Sequence, residues 1–188
     1  MSPPDPASTP PDPTRRIIED AVTDVLARRG RTGGTASARV ALGSDHAGFA
    51  LKRSLARFLR EELGLGVLDC GVHDEEPVDY PDIAVAVAKA VSGGACPRGI
   101  MIDGAGVGST MVCNRVAGVL AAAGHDLFTV RNSREHNNAN VLVLGSSRTV
   151  PGEARRLVRV WLSTPFAGGR HERRVEKILR LDVPGREA

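Results

Sequence analysis

The stretch Gly99-Ile-Met-Ile-Asp-Gly-Ala-Gly-Val-Gly108 constrains the fold most. Ile100, Met101 and Ile102 form a short apolar run that ends in a carboxylate, Asp103. Gly104, Gly106 and Gly108 follow at alternate positions, and Ser109, Thr110 and Asn114 then open a helical pattern. A buried strand that passes through a glycine-rich turn into a helix leaves backbone N–H groups pointing into open space. Such a turn suits an anion, either a phosphate or an oxygen that becomes negative during reaction. A tight strand-to-helix turn without a ligand fits the same residues, because a Gly-x-Gly-x-Gly run is a weak signal by itself.

The pattern around this stretch alternates strand and helix from Arg39 onward. Strands are expected at 40–43, 67–69, up to Asp103, 119–122 and 141–144. Helices are expected at 49–63, 82–91, 109–114, 126–136, 151–162 and 171–181. Strands separated by helices predict a five-stranded parallel sheet covered on both faces, a Rossmann-like α/β/α sandwich. In such sheets ligands sit beyond the carboxyl ends of the strands. Asp45, His46, Asp103 and the glycine turn all fall at strand C-termini and are therefore expected on one rim.

Residues 1–38 differ from the rest. The segment MSPPDPASTPPDP (1–13) is proline-rich and polar, and is expected to be disordered. Over 14–29, Ile17, Ile18, Ala21, Val22, Val25 and Leu26 make one apolar stripe on a helix. Thr14 suits its start, while Arg28, Arg29 and Gly30 suit its end. A loose linker, RTGGTASA (31–38), follows. The tethered amphipathic helix looks like the short targeting helices that direct cargo enzymes into bacterial microcompartments. Packing back on its own domain is the simpler alternative. Glu19, Asp20 and Asp24 on the polar face argue against a membrane surface.

Composition excludes several classes. A net charge of +3 with 3% aromatic residues gives no nucleic-acid signature. Cys70, Cys96 and Cys113 lack metal-type spacing, and no signal-type segment precedes them, so a reduced, cytoplasmic setting is expected. Nothing activates Cys70 or Cys113 as a nucleophile, and both read as core residues. Trp161 shares a helix stripe with Leu157, Val158 and Leu162 and reads as packing. No stretch has the apolar length of a membrane-spanning helix.

The chemistry-bearing motifs occur in a distinctive order. They are GSDHAG (43–48), VDYPD (78–82), GIMIDGAGVG (99–108), REHNNANVLVLGS (134–146) and FAGGRHERRVEKI (166–178). From about Arg39 to Leu181 the chain resembles the ribose-5-phosphate isomerase B family, which includes galactose-6-phosphate isomerase subunits. The resemblance implies an aldose–ketose isomerase of a phosphorylated sugar, ribose 5-phosphate foremost, that needs no metal and no cofactor. Another hexose or deoxy sugar phosphate, or sugar-phosphate binding without turnover, are the alternatives. By this likeness a base moves a proton between C1 and C2 through a cis-enediolate whose charge is held by the glycine turn, Gly104, Gly106 and Gly108. His136 with Asp45 would open the sugar ring, and Asn137 and Tyr80 would hold the substrate. His46, Arg170 and Arg174 would bind the phosphate. The family site lies between two subunits, so a homodimer or larger symmetric oligomer is implied, with a shell protein as a further partner of 14–29.

The chain departs from the family at the chemical centre. Many members carry a cysteine base where this chain has Asp103, and another branch uses a glutamate where it has Ser109. The hydroxyl residue of the turn is Ala105 here, and a phosphate-binding arginine is replaced by Ser147, with Arg148 one residue late. A carboxylate is competent to enolise a sugar carbon, so Asp103 is expected to be the base.

Overall fold

A computed structural model describes residues 39–181. The expected helix over 14–29 and its linker lie outside the described residues. The chain folds as β1 (Arg39–Ser44), α1 (Phe49–Arg57), β2 (Gly66–Asp69), α2 (Tyr80–Ser92), β3 (Arg98–Asp103) and α3 (Val107–Cys113). It continues with β4 (Ala121–Ala123), α4 (Leu127–Glu135), β5 (Val141–Gly145), α5 (Pro151–Ser163) and α6 (Glu172–Arg180). The five strands form one parallel sheet in the order β2-β1-β3-β5-β4, as the alternation predicts.

The central strands read as continuous apolar runs because both faces of the sheet are covered. Val40, Leu42, Ile100, Ile102, Leu142 and Leu144 face α1 and α5, where Leu55, Phe58, Leu157 and Trp161 fill the layer. Ala41, Met101, Val141 and Val143 face α2, with Ile83, Val87 and Val91. That second layer is thin. A Cβ on Gly43 would lie 2.6 Å from Val87 Cγ2 and one on Gly99 2.8 Å from Val87 Cγ1, so glycine at both positions seats α2 directly on the strands. Cys70, Cys96 and Cys113 are free and buried, and burial pushes the Cys70 and Cys113 thiols up to about 12, which makes them inert.

Several elements depart in detail from the sequence pattern, α2 among them, which begins at Tyr80 rather than Asp82. The helix expected to run to Leu63 ends as α-helix at Arg57 and continues as one π-turn over Phe58–Glu62, closed by Leu63 N–H on the Phe58 carbonyl. At that turn Glu62 meets Arg155 and Arg159 of α5. Strand β4 begins at Ala121 rather than Val119, because Val119 N–H closes a turn onto Val116 and the Asn114 amide clasps Ala121 from both sides. Helix α3 begins two residues early, at Val107, because Asp103 caps it from below.

Candidate active site

Parallel pairing aligns Ser44 with Ile102 and Asp103 with Gly145, so the chain leaves β1, β3 and β5 at one rim. Asp45 N–H donates to the Ile102 carbonyl (3.1 Å), and its carboxylate accepts the Gly48 N–H (2.9 Å) at the entry to α1. The residue therefore caps a helix and presents a buried carboxyl group to the rim. Burial pushes the Asp45 carboxyl above the usual range, and the neighbouring Asp103 charge adds to the rise, against the Gly48 N–H and His46. His46 is half-buried beside it, and its Nδ1 accepts the Val78 N–H (3.3 Å) from the loop before α2. That bond places the proton of the neutral His46 ring on Nε2. The loop itself is held by Lys52, buried and bonded to Asp69 and to the Val72 carbonyl, both at 2.7 Å.

Asp103 ends β3 and is 4% exposed as a residue. One oxygen accepts the Gly106 N–H and the other the Ser109 N–H (3.1 Å). The glycine turn thus folds around its own carboxylate. Gly106 sits at φ +80°, a left-handed conformation suited to glycine, and its α-carbon packs against the Gly145 backbone. The N–H groups of Val107 and Gly108, in the first turn of α3, have no intrahelical acceptor and remain the turn's donors for an anion. Ser146 and Ser147 bond back to the Asp103 and Gly104 carbonyls, which places Ser147 against the turn. Tyr80 lies over Gly108, where an added Cβ would come within 2.5 Å of its ring.

His136 and Asn137 lie elsewhere. They follow α4 and precede β5, so they belong to the opposite end of the sheet. Gly99 N–H at the start of β3 bonds the Asn140 carbonyl, whereas Asp103 is four residues further along that strand, about 13 Å away. Around His136 the chain gathers a second cluster. His171 stacks on it with ring centroids 4.1 Å apart and planes 5° from parallel. Asn132 meets its Nδ1 at 2.8 Å, and Ala167 N–H bonds the Glu135 carbonyl. Arg170 donates from Nε to His171 Nε2 (3.4 Å), and Arg174 follows one turn later on α6. Burial first, then the charges of His136, Arg170 and Arg174, lower His171 from the ordinary histidine value.

The structure therefore brings together Asp45, His46, Tyr80, Asp103, Gly104, Gly106 and Gly108 at one end. It assembles His136, Asn137, Arg170 and Arg174 at the other. Sequence reading missed three members of the second cluster, namely Asn132, Arg134 and His171. Their signal was available in part: Asn132 is four residues before His136 and Arg134 four before Asn138, the spacing of side chains that meet on a helix.

A doubly wound parallel sheet with acidic and histidine side chains at its carboxyl rim, beside a glycine-rich helix start, defines an α/β enzyme that handles small anionic substrates. The family model described as Ribose/Galactose Isomerase matches residues 40–178, and the chain belongs to that family. It is 40% identical to the ribose-5-phosphate isomerase B of Escherichia coli over 144 residues, 77% of this chain and 96% of that protein. It is 37% identical to the D-erythrulose-4-phosphate isomerase of Pectobacterium atrosepticum over 141 residues, 74% of this chain and 91% of that protein. The solved ribose-5-phosphate isomerase B of Clostridium thermocellum superposes with a TM-score of 0.75 at 44% identity, covering 77% of this chain and 97% of that structure. The protein is accordingly an aldose–ketose isomerase of the ribose-5-phosphate isomerase B type, acting on a sugar phosphate. Among the described residues no helix is long and apolar enough to cross a membrane, and no group of histidine, cysteine and acidic residues could hold a metal ion.

Proposed function

We propose that the protein interconverts ribose 5-phosphate and ribulose 5-phosphate, with Asp103 as the base that carries the proton between C1 and C2. The observation that carries this reading is the Asp103 carboxylate itself. It stands at the end of the central strand, held by two backbone N–H groups that fix its orientation while leaving lone pairs on both oxygens. A positioned carboxylate of this kind is a general base for a carbon acid next to a carbonyl. The enediolate that forms would be met by the free N–H groups of Val107 and Gly108 at the helix start. Tyr80, over the turn, would close the pocket on the sugar.

The ring-opening and phosphate-binding groups would come from a second copy of the chain. Asp45 and His46 stand at one end of the sheet, and His136, Asn137, Arg170 and Arg174 at the other, so one chain cannot bring them to a single five-carbon substrate. A symmetric dimer that faces one end of each protomer with the other end of its partner would complete two sites. Val107 and Met111, one turn apart on α3 and 50% and 66% exposed, offer an apolar surface beside the glycine turn for that contact. In the completed site Asp45 would take the proton of the anomeric hydroxyl and return it to the ring oxygen as the bond from that oxygen to C1 breaks, while His136 holds the same oxygen by a hydrogen bond. Arg170 and Arg174 would hold the phosphate as a pair of cations, with His46 at its flank.

Proton NMR of the full chain with ribose 5-phosphate in heavy water tests the reading. Deuterium is expected at C2 of the aldose and C1 of the ketose. Asp103→Asn, folded as wild type, is expected to slow exchange about 10²- to 10⁴-fold. Full activity in that variant would remove Asp103 from the reaction. Exchange with D-erythrulose 4-phosphate but not with ribose 5-phosphate would move the substrate to four carbons, the size named in the Pectobacterium relative.

A further inference from the structure

The amide network behind His136 fixes which of its ring nitrogens carries the proton. Asn137 Nδ2 approaches two oxygens of Asn132, the backbone carbonyl at 3.3 Å and the side-chain Oδ1 at 3.2 Å. A backbone carbonyl only accepts, so the group that faces it is the Asn137 NH₂. The same NH₂ faces the Asn132 side chain, which must therefore present its oxygen there. The other arm of the Asn132 amide is then its NH₂, and it lies 2.8 Å from His136 Nδ1. Nδ1 has to accept. The orientation of both amides is thus anchored to a main-chain carbonyl whose chemistry is not in doubt.

We infer that Asn132 is a positioning residue that holds His136 in the Nε2–H tautomer, so that this ring offers the substrate a hydrogen-bond donor and not an acceptor. The inference rests on the reading above in which His136 meets the sugar. His171 supports the arrangement from the ring face. Its near-parallel stack at 4.1 Å stops the His136 ring from turning about its χ2 axis, which would exchange the edges. Burial first, and then the cationic neighbours Arg170 and Arg174, lower His171 from the ordinary histidine value, against the opposite pull of Glu135. A donor on Nε2 suits a sugar ring oxygen, which has lone pairs and no proton. An acceptor there would leave that oxygen unaided as its bond to C1 breaks.

Substitution by aspartate separates tautomer from shape. In Asn132→Asp the side chain keeps its size and can still accept from Asn137, but it has no proton to give Nδ1. The ring must then carry a proton on Nδ1. The experiment is long-range ¹H–¹⁵N correlation of the ¹⁵N-histidine-labelled full chain at about pH 8, where an ordinary imidazole is neutral, with the His136 signals assigned by His136→Gln. Wild type is expected to show the Nε2–H pattern, and Asn132→Asp the pattern of a protonated Nδ1. Kinetics on ribose 5-phosphate are expected to show kcat lowered about 10- to 100-fold with KM changed less than about 2-fold. Asn132→Leu, which removes the partner, is expected to give a mixture of tautomers and covers the case in which the aspartate variant does not fold. An Nδ1–H pattern in wild type, or an Nε2–H pattern that persists in both variants, overturns the assignment. A shifted tautomer with unchanged kcat overturns the positioning role. An inactive wild type with the expected Nε2–H pattern counts instead against the proposed reaction.

Discussion

Arg134 is the buried cation that most clearly links folding to the second cluster, and Arg134→Met isolates what it does. The residue is 2% exposed and lies on α4, with its guanidinium 6.0 Å from the Trp161 ring. One nitrogen, Nη1, donates to Asn138 Oδ1 at 2.9 Å and to the Ala139 carbonyl at 2.7 Å. No carboxylate pairs with it among the described residues, and burial, followed by the charge of Arg98, lowers it to about 10. Its role is to stitch the end of α4 to the start of β5 across the loop that carries His136 and Asn137. Asn138 stands at φ +51°, the one non-glycine residue in the left-handed region among those described, and Arg134 is what holds it there. Methionine fills most of the buried stem and removes both bonds. Each bond from a charged donor contributes about 1.5–3 kcal/mol, and relief of the buried charge returns part of that, so a net loss of about 2–4 kcal/mol is expected. For a domain of this size that is a fall in Tm of about 6–12 °C. Circular-dichroism melts measure the stability, and kcat on ribose 5-phosphate is expected to fall about 10- to 100-fold as His136 and Asn137 lose their places. Arg134→Lys, with one flexible ammonium, is expected to fall between the two. A methionine variant that melts within about 2 °C of wild type and keeps its kcat would refute the reasoning.

Asp45→Asn is expected to raise stability at neutral pH while lowering activity. A folded-state carboxyl raised by burial means that the native chain binds more protons than the unfolded chain above the ordinary Asp value of 3.8, so ionisation costs stability as pH rises through the folded value. The asparagine still caps Gly48, and its advantage over wild type in urea melts is expected to shrink as pH falls through the raised folded value and to be gone by about 4; an advantage that grows toward acid would be wrong in sign. Met111→Asp is expected to weaken self-association at least about 30-fold, since a charge placed in an apolar contact costs 2 kcal/mol or more, with sedimentation equilibrium as the check. Unchanged mass would move the interface off α3. Gly108→Ala places a Cβ 2.5 Å from the Tyr80 ring, which is 38% exposed and free to swing out. A loss of stability near 1 kcal/mol with a larger loss of kcat/KM is therefore expected, measured by melts and steady-state kinetics. A reporter fused to residues 1–38 is expected to collect at microcompartments in cells that make a shell, and a diffuse signal would count against a targeting role.

Much of this was legible in the sequence, for identifiable reasons. The five strands and their parallel pairing follow from uninterrupted apolar runs such as 100–102 and 141–144, each broken by polar or glycine residues where the chain leaves the sheet. The rim that holds Asp45, His46 and Asp103 follows from topology alone, since each ends a parallel strand. What the pattern does not carry is where a local hydrogen bond moves an end. Asp103 starts α3 early by taking the Gly106 and Ser109 N–H groups, and the Asn114 amide starts β4 late. Nor does it carry contacts between distant segments. His136 and His171 are 35 residues apart, and only the fold shows that their rings stack.

The placement of Asp103 also changes what the glycine turn can do. A turn rich in glycine reads as a cradle for a substrate anion, and here part of that cradle already holds an anion of the chain itself. Gly106 and Ser109 give their N–H groups inward, which leaves only the outer N–H groups of Val107 and Gly108 without an intrahelical acceptor, the donors that the proposed mechanism uses. This arrangement gives the short aspartate side chain a fixed place that a cysteine would not require, because a thiol takes no such pair of backbone bonds at neutral pH. Burial first, and then the neighbouring Asp103 charge, raise the Asp45 carboxyl above its ordinary range. Two adjacent carboxyl groups with different affinities for a proton are a familiar way to divide acid and base roles. On the mechanism proposed above, Asp103 would move the proton between the two carbons while Asp45 would serve ring opening, so the two carboxyl groups at neighbouring strand ends would divide the work.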